Sequence, residues 1–243
     1  MTTPLLEVVG VTVRFGGLVA VDQVALTASA GTVTGLIGPN GAGKTTLFNV
    51  ITGLQAPTAG LVLVDGADIT RAPAPSRARL GVARTFQRLE VFGSMTVFDN
   101  VLTAAELRRT WADDDTPPRE VARAALRRTG VLAYADAMAD AVPTGIARLV
   151  ELARALALQP RLLLLDEPSS GLSPSETDAF AALLTELAAE GTGVLLVEHD
   201  VDLVMSVCST VHVLDFGRLL SVGTPAEVQA DPLVQQAYLG VSA

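Results

Sequence analysis

The sequence has one lysine, one cysteine and two histidines. Only one of the 17 basic residues among 243 is a lysine, Lys44. The single cysteine, Cys208, excludes an internal disulfide and fits a reducing compartment. Its place in an apolar helical pattern predicts a buried, structural thiol. The formal net charge of −9 disfavours a nucleic-acid-binding surface.

Long hydrophobic runs of the kind that span a membrane are also missing, although the mean hydropathy of +0.43 is high. The longest uncharged stretches, residues 23–43 and 45–64, are broken by Gly, Pro, Thr and Asn. The first residues lack the basic-then-apolar pattern of a signal peptide. The high hydropathy therefore indicates a large core rich in Ala, Leu and Val, with or without an apolar surface for a partner.

Strands and helices alternate at both ends of the chain, and a helical stretch lies between them. The hydrophobic pattern predicts strands at 6–15, 19–26, 32–37, 61–64, 81–86, 162–165, 194–197 and 210–214. It predicts helices at 45–52, 146–158, 175–190, 201–208, 225–230 and 232–239, and a loop at 71–76. These elements predict an α/β fold, with a parallel sheet, an N-terminal antiparallel β-subdomain and an inserted α-helical subdomain. We expect one domain over 1–243, in which 1–87 and 155–243 form the α/β core and 88–154 the insertion.

A glycine-rich stretch between a predicted strand and a predicted helix matches the phosphate-binding pattern G-x-x-x-x-G-K-[ST]. Successive backbone N–H groups and the helix N-terminus form a nest for an anion. Lys44 would reach the β- and γ-phosphates of ATP, and the Thr45 hydroxyl would bind Mg²⁺. Arginine is too wide for such a cradle, which explains why the only lysine lies here. The predicted nucleotide-binding residues are Gly38, Pro39, Asn40, Gly41, Ala42, Gly43, Lys44, Thr45 and Thr46. The alternative is a glycine-rich turn without function.

Two carboxylates follow the apolar run "LLLL" at the carboxyl end of a predicted strand, where open parallel sheets bind ligands. Asp166 is predicted to hold Mg²⁺ through water, and Glu167 to polarise the attacking water. The alternative is a pair of strand-end carboxylates with no role in catalysis. His199 follows the next strand and is predicted to contact the γ-phosphate. His212 lies in the middle of a strand, which favours a structural histidine.

Two further residues are weaker candidates. Gln87 follows "ARTF" where the α/β core gives way to helices, and it is predicted to ligate Mg²⁺ and to move with the helical part. A surface glutamine is the alternative. Phe15 lies upstream of the phosphate loop and would either stack on adenine or serve as an ordinary strand aromatic.

The order and spelling of these motifs resemble the ATP-binding subunits of ABC transporters over nearly the whole chain. The stretches "FGGLVAVDQV", "GPNGAGKTTLFNVITG", "LLLLDEPSSGLSP" and "VGTPAEV" are similar to the ATPases of branched-chain amino-acid importers. The resemblance implies a P-loop NTPase fold and an ATPase that uses ATP and Mg²⁺. It implies a head-to-tail pair with a second, different ATPase subunit, permease subunits docked near Gln87, and indirectly a solute-binding protein. It places the chain peripherally on the cytoplasmic face of a bacterial inner membrane.

The resemblance leaves two alternative functions open. One is an ATP-dependent switch subunit with weak hydrolysis, and the other is an ATPase of an exporter, for example for lipids. It also implies that residues 170–173 contact the partner subunit. Phe92, Met95, Val97 and Phe98 are candidates for an apolar docking face, or else they belong to the core.

The stretch "AVPTGIARLVELARAL" occupies the place of the family's signature turn, which usually reads L-S-G-G-Q. Aligned on "ELARAL", residues 142–146 read V-P-T-G-I, so the usual serine, first glycine and glutamine are missing and Gly145 remains. The resemblance implies that Pro143, Thr144 and Gly145 face the ATP of the partner subunit. Thr144 is predicted to be the N-cap of the following helix, which would occupy its hydroxyl. We expect a weakened signature; the alternative is an ordinary capped helix.

Overall fold

The computed structural model describes residues 4–239, and two β-sheets organise this part of the chain. The strands are β1 (Leu6–Phe15), β2 (Leu18–Ala28), β3 (Val33–Ile37), β4 (Ala59–Val64), β5 (Ala67–Asp68), β6 (Val82–Arg84), β7 (Leu162–Asp166), β8 (Gly193–Val197), β9 (Thr210–Asp215) and β10 (Arg218–Gly223). The α-helices are α1 (Lys44–Thr52), α2 (Ala74–Arg79), α3 (Val97–Arg109), α4 (Pro118–Arg128), α5 (Thr144–Leu156), α6 (Pro174–Ala189), α7 (Val201–Val207), α8 (Pro225–Ala230) and α9 (Pro232–Leu239).

The two sheets differ in strand direction. The first is antiparallel, with the order β2-β1-β4-β5. The second has the order β10-β9-β3-β8-β7-β6 and is parallel except for β10, which pairs antiparallel with β9 at the edge. The predicted α/β fold with a parallel sheet and an N-terminal antiparallel sheet is confirmed.

The central strands are buried on both faces, as expected for a parallel sheet covered by other layers. Every residue of β3, β7 and β8 is buried. Successive residues of β7 alternate between two cores: Leu162 and Leu164 pack with α1 and the antiparallel sheet. Leu163 and Leu165 pack on the opposite face with the helices that include α3, α5 and α6. The sheet therefore forms a wall between two hydrophobic clusters.

Helices α3, α4 and α5 lie between β6 and β7 in the chain, and they pack against one another. Because β6 and β7 are direct neighbours in the parallel sheet, the helices are inserted at one edge of the core. Within residues 4–239, no helix has the length and apolar character needed to cross a membrane.

Two local predictions need correction. The loop predicted at residues 71–76 is wrong in its second half, because α2 begins at Ala74. Proline is tolerated in the first helical turn, where its missing N–H costs no hydrogen bond, so "APAPS" does not exclude a helix start. The edge strand β10 was not predicted, since its residues are mostly half-exposed and form no apolar run.

Candidate active site

The phosphate loop joins β3 to α1 and depends on two glycines. Gly43 is the N-cap of α1 with φ 101°, and a Cβ there would lie 2.6 Å from the Ala20 carbonyl oxygen. A Cβ on Gly38 would lie 2.1 Å from the Leu214 carbonyl oxygen. No described side chain caps α1, so its first N–H groups remain available to an anion.

Lys44 lies at the base of this loop and is buried. Its Nζ donates to the Gly38 carbonyl at 2.6 Å and to the Pro39 carbonyl at 3.0 Å. Burial lowers the pKa of Lys44, and the negative charges of Glu167 and Asp166 act in the opposite direction. The ammonium group is thus bound by two main-chain carbonyls of the phosphate loop.

A cleft of about 350 Å³ opens beside the loop. Its lining consists of Leu18, Val19, Ala20, Asn40, Gly41, Ala42, Gly43, Lys44, Thr45, Thr46, Gln87, Glu167, Phe216 and Gly217. The predicted residues from Asn40 to Thr46 therefore meet Gln87 and Glu167 here. Phe15 is outside this lining, and its strand partner Leu18 lies in it. Phe216, in the turn between β9 and β10, is an aromatic of this cleft that was not predicted.

Two predicted residues contact one carboxylate oxygen of a third, Glu167. The Glu167 Oε1 accepts a hydrogen bond from Gln87 Nε2 at 3.1 Å and lies 2.8 Å from His199 Nε2. These residues follow β6, β7 and β8, which are adjacent strands whose carboxyl ends share one edge of the sheet. Glu167 has φ 51°, a left-handed conformation that costs on the order of 1–3 kcal/mol and is typical of functional sites.

Asp166 is buried and bonded through only one of its carboxylate oxygens. Its Oδ2 forms an ion pair with Arg84 at 2.9 Å, whereas Oδ1 is buried without a partner among the described residues. Burial raises the pKa of Asp166, and the Arg84 guanidinium opposes this shift. Arg84 also donates to Asn49 Oδ1 at 2.6 Å and stacks 4.8 Å from the Phe86 ring centre. Arg84 was not predicted, although a lone arginine in an apolar strand beside "TFQ" was a usable signal.

Glu198 is a second buried acid that was not predicted. It accepts hydrogen bonds from the Ser169 N–H at 2.8 Å and the His199 N–H at 3.2 Å. Burial raises its pKa. Glu198, the first residue after β8, therefore connects the loop after Glu167 to the His199 main chain. Two expected structural residues are indeed buried: His212, whose pKa is lowered by burial, and Cys208, whose pKa is raised by burial to about 12.

The signature turn differs from its prediction in one respect. Helix α5 begins at Thr144 and its N-cap is Pro143, so the prediction that Thr144 caps the helix is wrong. Proline has no acceptor in its side chain, and no described side chain caps α5. Thr144 is exposed, whereas Ile146 is buried in the core. A Cβ on Gly145 would lie 2.6 Å from the Gly171 carbonyl oxygen, so this glycine lets the turn pack on the loop after Glu167.

The four apolar residues after Gln87 divide into two groups. Phe92 and Met95 are 46% and 40% exposed. Val97 is fully buried, and Phe98 packs against the core. Only the first two are therefore available for a docking face. In the loop after Glu167, Ser173 is the N-cap of α6 and forms a capping box with Glu176.

Comparison with known proteins gives the class of this chain. The family described as ABC transporter matches residues 21–170, more than half of the sequence. The chain therefore belongs to the ABC transporter family and is an ATP-binding subunit that hydrolyses ATP. A second family, described as branched-chain amino acid ATP-binding cassette transporter, matches residues 218–243.

Curated relatives match nearly the whole chain. It is 42% identical over 253 aligned residues to the high-affinity branched-chain amino acid transport ATP-binding protein BraF of Pseudomonas aeruginosa, covering 99% of each chain. It is 40% identical, with the same coverage, to LivG of Escherichia coli K12. It is also 36% identical to the lipopolysaccharide export system ATP-binding protein LptB of Haemophilus influenzae, over 90% of each.

Solved structures agree with the fold. A nucleotide-free ATP-binding cassette from an ABC transporter matches with a TM-score of 0.88 and 29% identity, covering 99% of this chain and 100% of that one. The ADP conformation of the cassette MJ1267 matches with a TM-score of 0.86, also at 29% identity and with the same coverage. The P-loop NTPase fold and nucleotide binding follow from these similarities together with the phosphate loop.

Proposed function

We propose that this chain hydrolyses ATP to power an importer of branched-chain or other hydrophobic amino acids. The identity of 40–42% over the full length to BraF and LivG carries the proposal. The match of residues 218–243 to the branched-chain family supports it independently of the ATPase motifs.

In this proposal the charged residues of the cleft act through position and charge, because phosphoryl transfer to water needs little covalent help. Lys44 and the loop N–H groups hold the β- and γ-phosphates. Glu167 orients the attacking water as a general base. His199 contacts the γ-phosphate, and its place against Glu167 supports a shared task. Phe15 stays a candidate for the adenine ring, with Phe216 as a second aromatic beside the loop.

The residues around Asp166 fit a magnesium ion. The buried Asp166 Oδ1 lacks a partner among the described residues, and such atoms are rarely left unsatisfied. Carboxylate, hydroxyl and amide oxygens are the ligands that Mg²⁺ prefers. Thr45, Gln87 and Asp166 would hold it, and the ion would neutralise phosphate charge during hydrolysis.

The turn at Pro143, Thr144 and Gly145 is proposed to complete the ATP site of a second, different ATPase subunit in a head-to-tail pair. The uncapped N-terminus of the 13-residue helix α5 supports this, since free N–H groups and the helix dipole favour a phosphate. The two ATP sites of the pair would then be unequal.

Permease subunits are proposed to dock beside Gln87, where Phe92 and Met95 are exposed. This would hold the chain on the cytoplasmic face of a bacterial inner membrane. A solute-binding protein would act through the permeases. Residues 88–154, proposed as a helical subdomain, would move against the core formed by 1–87 and 155–243.

Reconstitution with permeases and a solute-binding protein tests the cargo. ATP hydrolysis in proteoliposomes should rise when the solute-binding protein carries leucine, isoleucine or valine. If a complex reconstituted in the same amount responds neither to these three amino acids nor to methionine or phenylalanine, the proposed cargo class is refuted. Steady phosphate release by the complex without stimulation would exclude a switch subunit with negligible hydrolysis.

A second candidate, lipid export, rests on the 36% identity to the lipopolysaccharide export protein LptB. The discriminating experiment is purification of the native complex. If the chain belongs to an importer, a periplasmic solute-binding protein and two permeases should co-purify with it. If it belongs to an exporter, permeases that extract lipid should co-purify instead. Lipopolysaccharide-stimulated hydrolysis would favour the second candidate.

A further inference from the structure

Arg148 joins the signature helix α5 to a loop in front of the active site. Its Nη1 donates to the Phe86 carbonyl at 2.8 Å, and its Nη2 donates to the Gln87 carbonyl. The loop formed by residues 86–92 contains no helix or strand. Its position therefore depends on contacts with neighbouring elements, and Arg148 binds the carbonyls of two consecutive residues of the loop.

Glu151 and Arg154 extend this attachment along the same helix. The Glu151 Oε1 accepts a hydrogen bond from the Glu90 N–H at 2.6 Å, and its Oε2 pairs with Arg148 Nη1 at 3.2 Å. Arg154 donates to the Glu90 carbonyl at 2.6 Å, and its guanidinium lies 4.9 Å from the Phe92 ring centre. The hydrogen bonds from α5 to the loop all end on the main chain of the loop, so they fix its path irrespective of its side chains.

The attachment is built to be rigid. The side chains of Arg148 and Glu151 are only 12% and 3% exposed. Burial raises the pKa of Glu151, and the charges of Arg148 and Arg154 oppose that shift. Charge-assisted hydrogen bonds in such a shielded place are stronger than neutral ones in water. Breaking one member leaves the others buried without partners, which is costly.

We propose that Arg148 and Glu151 are positioning residues that make loop 86–92 move with helix α5 and thereby set the Gln87 side chain against Glu167. The hydrogen bonds form a continuous route. Arg148 binds the main-chain carbonyl of Gln87, and the side-chain amide of Gln87 donates to the Glu167 carboxylate at 3.1 Å. Helix α5 starts at the signature turn, one turn before Arg148. Nucleotide bound by the partner at that turn is then linked to Glu167 in this chain's own site. The inference rests on the proposed roles of Gln87 and of the signature turn.

Hydrogen exchange of the full-length subunit tests the attachment without a partner. In Glu151→Ala the Glu90 amide loses its acceptor, and its exchange should become at least about tenfold faster. In Glu151→Gln an amide oxygen remains as acceptor, and the exchange should stay within about threefold of the wild type. The amide of Leu163 in the central sheet serves as the internal control for folding. Equal Glu90 exchange in the alanine variant and the wild type would refute the attachment.

A double-mutant cycle tests the positioning role in the assembled ATPase. Arg148→Lys keeps the charge but loses the planar fork that reaches two carbonyls. The kcat for ATP hydrolysis should fall about tenfold in the wild-type background and less than twofold in a Gln87→Ala background. Both changes are proposed to act through the contact between the Gln87 side chain and Glu167, which is already absent in Gln87→Ala. Arg128→Lys, in an exposed ion pair with Glu186, is the matched control and should change little.

The outcomes separate the two ideas. An unchanged kcat in Gln87→Ala alone would refute the proposed role of Gln87 and, with it, the route to Glu167. A clear loss in Gln87→Ala together with an equal loss from Arg148→Lys in both backgrounds would refute positioning and assign Arg148 to general stability. Loss only in the background that retains Gln87 supports the inference.

Discussion

The chain has a phosphate site of its own and a turn that we propose to complete the ATP site of a partner, and the two are built from different chemical groups. At its own phosphate site, side chains bond to one another and to the loop: Glu167 meets Gln87 and His199, and Lys44 holds two carbonyls. At the signature turn, Pro143 and Thr144 are exposed without such a network in the described part of the chain, and the available polar groups are the Thr144 hydroxyl and the first N–H groups of α5.

The difference shows which changes each surface tolerates. At the chain's own site we expect side-chain replacements to reduce hydrolysis, because charge and proton acceptance belong to particular groups. A surface made of main-chain N–H groups accepts new side chains as long as the backbone keeps its path. Ile146 accordingly lies in the core, whereas position 145 requires glycine because the Gly171 carbonyl leaves no room for a Cβ.

The largest effect is expected at Glu167. Glu167→Gln retains an oxygen that accepts from Gln87 but removes the negative charge, so phosphate release should fall by roughly 10²–10⁴-fold. Glu106→Gln on the exposed face of α3 is the control. The same change at the counterpart glutamate of the partner should produce a different loss if the two sites are unequal. Equal losses in the two subunits would refute the proposal that the two ATP sites are unequal.

The next largest effect concerns the single lysine. Lys44→Arg keeps the positive charge but places a wide fork where Nζ is buried against Gly38 and Pro39. We expect nucleotide affinity, measured by titration with a fluorescent ATP analogue, to fall by about tenfold or more. Arg109→Lys, on the exposed face of α3, makes the reverse exchange and should leave affinity unchanged. Tight binding by Lys44→Arg would show that charge alone suffices.

A moderate effect is expected at the signature glycine. In Gly145→Ala the new Cβ would meet the Gly171 carbonyl at 2.6 Å, so the turn or the facing loop must shift. The free energy of unfolding, measured by urea denaturation, should fall by about 1–3 kcal/mol. Gly17→Ala has open space around its Cβ and is the matched control. Unchanged stability of Gly145→Ala would mean that the backbone path is not fixed by this contact.

The smallest effect is expected at Thr144, and it separates a free hydroxyl from a capping one. Thr144→Ala should change the free energy of unfolding by less than about 0.5 kcal/mol. Ser173→Ala removes an N-cap that is part of a capping box and should cost about 1 kcal/mol. A loss at Thr144 as large as that at Ser173 would restore the capping role that the helix start at residue 144 argues against.

The parts that were predictable from sequence are those whose signal is local. The phosphate loop is written in eight consecutive residues, and the buried strands are written in apolar runs. Arg84 and Asp166 are 82 residues apart, and their ion pair depends on β6 lying beside β7, which no local pattern specifies. The Glu198 bond to Ser169 and the place of Phe216 in the cleft are non-local in the same way. The cap of α5 was misplaced by one residue, because proline and threonine both suit a helix N-terminus.

The burial of Lys44 also has a practical consequence. Because the chain has one lysine and this residue is only 6% exposed inside the phosphate loop, the surface of the folded protein presents almost no side-chain amine. Amine-reactive labels and cross-linkers should therefore modify side chains of this subunit very slowly while it is folded. Any such modification at Lys44 would report directly that the phosphate loop has opened.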